Sequence, residues 1–206
     1  MPGSDVGWPR RGALGGEAQA MFPQLPRWLP IALAVTAALA LFALYRSMPP
    51  DLPDDCIEAG KATEAEDYSL AIDRYFACLE ADELPPAIQA RVFLQLGNAY
   101  SAKQNYHQAI EDYGEALTLD PSLGWAYNNR CWSRGLLRQS TEALNDCNEA
   151  LRLLPDQPEV LDSRALAYWQ LGEENKARAD LARAHKLDPN LPSPEERFRE
   201  FEEMFP

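Results

Sequence analysis

The sequence predicts an all-α fold, in which a solenoid of helix hairpins follows a single transmembrane helix. Two observations carry this prediction. Residues 90–191 repeat with a period of 34 residues, as stacked hairpins do. Residues 28–45, WLPIALAVTAALALFALY, form an uncharged apolar run long enough to cross a bilayer. The 206-residue chain has 46% hydrophobic and 25% charged residues, an ordinary globular composition.

The N-terminal part of the chain is predicted to attach the protein to a membrane. Residues 1–27 are rich in Gly and Pro, which favours a disordered tail. As a helix, residues 28–45 would span about 27 Å, and Trp28 and Tyr45 stand where amphipathic rings settle. The Pro-rich residues 46–53 are predicted to be a stiff linker. A buried core helix and a cleaved signal peptide are the alternatives for the apolar run.

Charges on the two sides of the apolar run predict its orientation. Arg10, Arg11 and Arg27 precede the run, whereas Arg46 alone follows it before a group of aspartates. Positively charged flanks stay in the cytoplasm. The sequence therefore predicts a single-pass protein of the inner (cytoplasmic) membrane, with its N-terminus in the cytoplasm and residues 50–206 in the periplasm.

The net charge of −13 limits the partners of the exported part. A strongly acidic chain lacks the basic face that non-specific binding to nucleic acid requires. We therefore expect no nucleic-acid partner. An acidic surface mainly favours solubility and repels anionic partners.

Three clear repeats cover residues 90–123, 124–157 and 158–191. Each has a proline close to its end, which is Pro121, Pro155 or Pro189. With each of these prolines at repeat position 32, positions 8, 20 and 27 hold small residues that let paired helices approach closely. These residues are Gly97, Cys131 and Ala165 at position 8, Ala109, Ala143 and Ala177 at position 20, and Ala116, Ala150 and Ala184 at position 27.

The repeated segments resemble the tetratricopeptide repeat family. The resemblance rests on LGNAY (96–100), on QAIEDYGEALTLDP (108–121) and on RALAYWQLGEENKARADLARAHKLDP (164–189). The stretch NRCWSR followed by ALNDCNEALRL is also similar to membrane-anchored members from the bacterial envelope. The resemblance implies antiparallel helix pairs that stack into a superhelix.

A degenerate repeat and a capping helix are predicted at the two ends of the array. Residues 54–89 keep Tyr68, Ala71 and Tyr75 in register with the repeat pattern. Residues 192–206 contain a helix-start signal and apolar residues spaced three and four apart, as a capping helix requires. Positions 7 and 23 carry opposite charges that are expected to pair across three hairpins: Arg130 with Asp146, Arg164 with Asp180, and Glu58 with Arg74.

The four cysteines lie in pairs on the same diagonal of the hairpin motif. Cys131 and Cys147 are at positions 8 and 24, and Cys56 and Cys78 are at positions 5 and 27, so both pairs sum to 32. Because bridged cysteines need closely spaced Cα atoms, this diagonal predicts two disulfides in an oxidising compartment. Four buried free thiols are the alternative. The cysteine spacing favours neither a metal site nor a thiol redox site.

The resemblance implies that the first helix of each repeat lines a concave groove for a protein or peptide ligand. The candidate binding residues on these helices combine tryptophans, which are enriched in binding hot spots, with hydrogen-bonding side chains. They are Asn98, Trp125, Asn128, Trp132, Asp162 and Trp169. The alternative for the tryptophans is core packing between repeats.

Chaperone-binding members of the family hold a peptide carboxylate with a clamp of Lys, Asn, Asn, Lys and Arg. Asn98 and Asn129 match the two asparagines of that clamp. Leu94, Glu159 and Ser163 stand where the three cations would be. With these cations absent and an acid present, we expect an acidic chaperone tail to be a poor ligand.

The sequence predicts a non-enzymatic, membrane-anchored scaffold for protein interactions in the cell envelope. We see no nucleophile–base pair, metal set or phosphate loop, and we expect no catalytic residues and no cofactor. Two alternatives remain. The repeats could face the cytosol as a receptor for client proteins, or the protein could be an assembly factor for an envelope enzyme complex, such as the cytochrome maturation machinery.

Overall fold

The computed structural model describes residues 52–80 and 84–206, which form nine helices in an all-α unit. The predicted tail (1–27), the transmembrane helix (28–45) and nearly all of the linker (46–53) lie outside the described residues. Within those described ranges, no helix has both the length and the apolar character that a bilayer span requires. The helices are α1 Asp54–Glu64, α2 Tyr68–Glu80, α3 Pro86–Ala102, α4 Tyr106–Leu119, α5 Gly124–Leu136, α6 Ser140–Leu153, α7 Pro158–Gln170, α8 Glu174–Leu187 and α9 Pro194–Met204.

The first eight helices pair in chain order as hairpins 1 to 4, and each hairpin packs against the next. Helices α5 and α7 begin at Gly124 and Pro158, the first residues of the predicted repeats. Helix α3 begins at Pro86, ahead of the boundary predicted at Ala90. The reason is local, because Pro85 is extended and Pro86 occupies the first helical turn, where its missing N–H is not needed.

The turn inside each hairpin has the same backbone conformation. Repeat position 15 has a positive φ between 57° and 75° in all four hairpins. The N–H of the next residue, three beyond the end of the helix, then bonds back to a carbonyl of the last turn, as in Asn105 to Tyr100 at 2.9 Å. The four residues at this position are Glu66, Gln104, Arg138 and Gly172. Hairpin 1, whose sequence is degenerate, therefore keeps the backbone of the other three.

Helix pairs approach closely where position 8 is small and position 24 is large. In hairpin 2, a Cβ on Gly97 would lie 2.5 Å from the ring of Tyr113, so only glycine fits under that ring. In hairpin 4, the same two positions hold Ala165 and Leu181, and both are buried. The two side-chain volumes compensate each other, as close packing requires.

Two disulfides join helices within hairpins. Cys131 and Cys147 are bridged in hairpin 3 with their Cα atoms 5.5 Å apart. Cys56 and Cys78 are bridged in hairpin 1 with their Cα atoms 4.9 Å apart. These are the pairings that the sequence predicts. Cys131, Cys147 and Cys78 are fully buried, whereas Cys56 is partly exposed.

The predicted charge pairs between positions 7 and 23 are confirmed. The distances are 2.8 Å for Arg130–Asp146, 2.7 Å for Arg164–Asp180 and 3.1 Å for Arg74–Glu58. Asp146 also contacts a second guanidinium, that of Arg134, at 2.6 Å. Asp146 and Asp180 are buried, so these ion pairs also satisfy carboxylates that would otherwise be costly to bury.

Hairpin 2 is the exception to this pairing. Asp112 occupies position 23 and is 5% exposed, but position 7 is the buried Leu96. Its Oδ2 accepts no hydrogen bond from the described residues. Burial raises the pKa of Asp112 to about 6, and the charges of Glu111 and Glu115 add to this effect while a hydrogen bond from Gln108 opposes it.

Helix α9 covers the C-terminal end of the array. Ser193 and Glu196 form a capping box at its start, in which each side chain bonds the backbone N–H of the other residue. Phe198 and Phe201 are buried and pack together with Ala165, Leu166 and Leu181 of hairpin 4. This is the apolar cover that the last repeat of a stack requires.

Candidate functional site

The first helices of successive hairpins form the inner face of the array. Helix α5 packs directly against both α3 and α7, in addition to its hairpin partner α6. No comparable packing joins the second helices of successive hairpins in the part of the chain that the structure describes. Because the first helices are drawn closer together, the array curves toward them, and its concave face is made of α3, α5 and α7.

An open cavity of about 390 Å³ lies on this face, and we call it the groove cavity. Helices α3, α5 and α7 supply most of its walls, and the C-terminal segment closes one side. Its lining residues are Asn98, Ser101, Tyr113, Asn128, Asn129, Trp132, Glu159, Asp162, Ser163, Leu191 and Arg197. Small-molecule and peptide sites have similar volumes, with a few polar groups that orient the ligand.

A chain of side-chain amides forms the floor of the groove cavity. Asn128 Nδ2 donates to Asn129 Oδ1 at 3.1 Å, and Asn129 Nδ2 donates to Asn98 Oδ1 at 2.8 Å. Tyr113 Oη donates to the same Asn98 oxygen at 2.9 Å. Burial raises the pKa of the Tyr113 phenol, so this hydroxyl remains a donor at physiological pH. We call this chain the amide relay.

The opposite wall of the cavity holds a guanidinium supplied by α9. Arg197 Nε and Nη2 donate to the two oxygens of Asp162 at 2.8 and 2.6 Å. The guanidinium lies over the Trp132 ring, 5.5 Å from its centre, and also pairs with Glu200. Burial alone would lower the pKa of Arg197, but hydrogen bonds and the charges of Asp162 and Glu200 raise it above its ordinary value.

Four of the six predicted binding residues line the groove cavity, and two do not. Asn98, Asn128, Trp132 and Asp162 form part of the cavity wall. Trp169 instead packs against two phenylalanines of the C-terminal segment, with ring centres 5.7 and 6.1 Å apart. The structure thus places Trp169 in the packing between the last repeat and the cap, which is the alternative that the sequence left open. Trp125 is 41% exposed but is not part of the cavity wall.

Tyr113, Leu191 and Arg197 belong to the cavity but were not predicted to do so. Tyr113 is on a second helix and reaches the inner face only because Gly97 lets its ring cross over α3. Arg197 comes from the cap, whose alternation of phenylalanines with charges predicts coverage of an apolar face. That pattern does not reveal that one charged residue of the cap faces the groove.

The two asparagines expected from a carboxylate clamp lie together in the cavity, without the clamp's cations. Asn98 and Asn129 are bonded directly to each other. Of the three positions where cations would stand, Glu159 is acidic and Ser163 is buried with its hydroxyl bonded to the Glu159 carbonyl at 2.9 Å. Leu94, at the third position, is a partly buried member of an apolar cluster.

Models of a known family match two of the four hairpins. The tetratricopeptide repeat model matches residues 90–123, and a second model of the same description matches residues 158–191. These two segments are tetratricopeptide repeats. The shared turns, small-residue packing and ion pairs extend the same architecture to the intervening hairpin 3, and the described residues as a whole form a tetratricopeptide solenoid.

Curated relatives match only the repeat region. The chain is 31% identical over 103 residues to the protein STIP1 homolog of Dictyostelium discoideum, covering 50% of this chain and 18% of the relative. It is 42% identical over 65 residues to the human mitochondrial import receptor subunit TOM34, covering 32% of this chain and 21% of the relative. The chain thus spans about a fifth of the length of these relatives.

Among solved structures, the chain is similar to the first tetratricopeptide domain of Spaghetti (RPAP3) bound to the HSP90 peptide SRMEEVD. The TM-score is 0.51 at 26% identity, and the match covers 57% of this chain and 91% of the solved chain. That domain is therefore a peptide-binding relative of similar architecture.

Proposed function

We propose that this protein is a membrane-anchored tetratricopeptide scaffold, which acts by binding a polypeptide segment of a partner rather than by catalysis. The amide relay beside Trp132 in the groove cavity carries this proposal. An extended peptide presents backbone N–H and C=O groups at regular intervals, and side-chain amides can pair with both. A tryptophan beside such groups is typical of binding hot spots.

Site-specific photocrosslinking in cells tests this binding role. We would place p-benzoylphenylalanine at Ser101, which lines the cavity, and separately at the exposed Glu111 on α4. We expect discrete adducts with another polypeptide from position 101 and none from position 111. Identical adduct patterns from both positions, or none from position 101, would contradict a groove-binding role.

We also propose that residues 28–45 anchor the protein in the inner membrane and that the repeats lie in the periplasm. The positions of the cysteines support this location, because each of two hairpins brings its pair within bridging distance. Structural disulfides persist in oxidising compartments and are rare in the cytosol. The asymmetry of arginines around the apolar run supports the same orientation.

Thiol counting in native membranes tests this location. The protein is denatured and labelled with a mass-adding maleimide, with and without prior reduction. We expect no labelled cysteine before reduction and four after it, since the sequence holds four cysteines. Four labels without reduction would place the repeats in a reducing compartment.

A receptor with cytosol-facing repeats is the second candidate. The import-receptor and STIP1-type relatives favour it, as does the solved domain bound to an HSP90 peptide. The groove cavity favours it less, because Glu159 stands where a carboxylate clamp needs a cation. Free thiols in native membranes, together with tight binding of the SRMEEVD peptide, would establish the receptor in place of the envelope scaffold.

A further inference from the structure

One end of the amide relay in the groove cavity is a buried oxygen that no donor of the described residues satisfies. Each amide nitrogen of the relay donates one hydrogen bond within the protein, the last from Asn98 Nδ2 to Gln95 Oε1. The relay begins at Asn128, which is only 6% exposed and whose Oδ1 accepts no hydrogen bond from the described residues. A buried acceptor without a donor is costly. An additional donor at this end of the relay would remove that cost.

The charge of the cavity favours the same kind of ligand. Glu159 and Asp162 are its acids, and Arg197 is its one base among the lining residues of the described chain. Arg197 already forms ion pairs with Asp162 and Glu200, so it offers little to an incoming anion. Glu159 is exposed and is in no ion pair within residues 52–80 and 84–206. A cation would find a partner there, and a carboxylate would be repelled.

The protein's own Arg197 shows how a guanidinium group can be bound in this cavity. Its guanidinium binds one carboxylate through two parallel hydrogen bonds and lies over the face of Trp132. Both features suit arginine in particular, because its planar fork matches a carboxylate and it stacks on aromatic rings. The cavity wall is therefore already a guanidinium site of the protein itself, with a second carboxylate, Glu159, still open beside it.

We propose that the groove cavity binds an arginine side chain from an extended basic segment of the partner polypeptide. The guanidinium donates to Glu159, while the segment's backbone follows the relay. This inference rests on the proposed function and names the chemistry of its ligand. It differs from recognition of an acidic tail, because the ligand supplies the cation and the groove supplies the carboxylate.

Fluorescence anisotropy on the full-length protein in detergent tests the inference with three labelled heptapeptides. The first is the acidic SRMEEVD, the second is amidated SRMRRVR, and the third is amidated SKMKKVK, which has the same charge as the second but no arginine. We expect the arginine peptide to bind about tenfold more tightly than the lysine peptide. We expect the acidic SRMEEVD to bind more weakly than either.

Two variants distinguish binding in the cavity from general attraction of a basic peptide to the acidic surface. Glu159→Gln removes the carboxylate of the cavity, and Glu111→Gln removes a carboxylate from an exposed site on α4. We expect Glu159→Gln to weaken the arginine peptide about tenfold and Glu111→Gln to change its affinity less than twofold. Equal effects of the two variants would overturn the inference, because attraction to the acidic surface would then explain the binding.

Preferential binding of SRMEEVD would also overturn the inference while leaving the groove as a peptide site. Failure of all three peptides to bind below about 1 mM would overturn it as well. The photocrosslinking at Ser101 would then decide separately whether the groove binds any polypeptide, so the two proposals fail in distinguishable ways.

Discussion

Hairpins 2 and 3 carry an aspartate at the same place in their second helices, and only hairpin 3 gives it a cation. Asp146 contacts two guanidinium groups, whereas Asp112 is buried and one of its oxygens accepts no hydrogen bond from the described residues. The hairpins also differ at the adjacent contact. Tyr113 packs over Gly97 in hairpin 2, whereas a disulfide joins the matching positions in hairpin 3.

The comparison teaches that the repeat pattern specifies a backbone without specifying what stabilises it. Hairpin 3 depends on a covalent bridge and an ion-pair cluster, both independent of the groove. Hairpin 2 instead uses an aromatic side chain whose hydroxyl bonds to Asn98 in the groove cavity. Stability and the binding site are therefore coupled in hairpin 2 and separate in hairpin 3.

Removing the bridge of hairpin 3 should have the largest effect. Replacing Cys131 and Cys147 together with alanine opens a loop with a sequence separation of 16 residues. We expect a loss of about 3 kcal/mol in the free energy of unfolding, measured by urea denaturation without reductant. The matched control replaces Cys56 and Cys78, which form the bridge of hairpin 1. If replacing Cys131 and Cys147 lowers the free energy of unfolding by less than about 0.5 kcal/mol, packing alone holds hairpin 3 together.

Breaking the ion-pair cluster of hairpin 3 should have the second-largest effect on stability. Asp146→Ala leaves Arg130 and Arg134 without their shared carboxylate in a largely buried site. We expect a loss of about 2–3 kcal/mol, below the range for fully buried pairs because both arginines are partly exposed. Asp73→Ala, at an exposed position of α2, is the control and should cost less than about 0.5 kcal/mol. A cost at Asp146 no larger than this would show that the cluster is not structural.

Replacing the matching aspartate of hairpin 2, Asp112, should raise the free energy of unfolding rather than lower it. The pKa of Asp112 is raised from its ordinary value of 3.8 to about 6 in the folded protein, so the folded state holds its proton more tightly. Its contribution to stability therefore falls as the pH rises from about 4 through 6. We expect Asp112→Asn to stabilise the protein by up to about 2 kcal/mol at pH 8 and by much less at pH 4.

Urea denaturation of wild type and Asp112→Asn across pH 4–8 checks this prediction. The difference between the two proteins is the quantity to follow, because other carboxylates affect both equally. A difference that does not grow with pH would show that Asp112 is not a buried, unpaired carboxyl group. Asp146 provides the internal contrast, since its replacement is expected to destabilise at neutral pH.

The glycine of hairpin 2 should give the smallest effect. Gly97→Ala places a methyl group 2.5 Å from the Tyr113 ring and should cost about 1–2 kcal/mol. Adding Tyr113→Leu reproduces the Ala165 and Leu181 combination of hairpin 4 and should recover part of that loss. Thermal unfolding of the single and double variants checks this, and additive losses would contradict a steric origin.

Much of the fold was predictable because repeat signals are local. The spacing of small residues, the charges at positions 7 and 23 and the diagonal of Cys131 and Cys147 depend only on helix geometry. The early start of α3 was also visible in the Pro85–Pro86 pair, which starts a helix whatever the repeat register. Four of the six candidate groove residues followed from the same spacing.

The sequence by itself determined the period of the hairpins, their internal contacts and the composition of their inner face. Only the tertiary structure decided which inner-face residues remain open to a ligand. Helix α9 returns against α7, covers Trp169 and places Arg197 over Trp132. The physical reason is that spacing along a helix assigns a residue to a face, whereas exposure depends on which distant segment packs against that face.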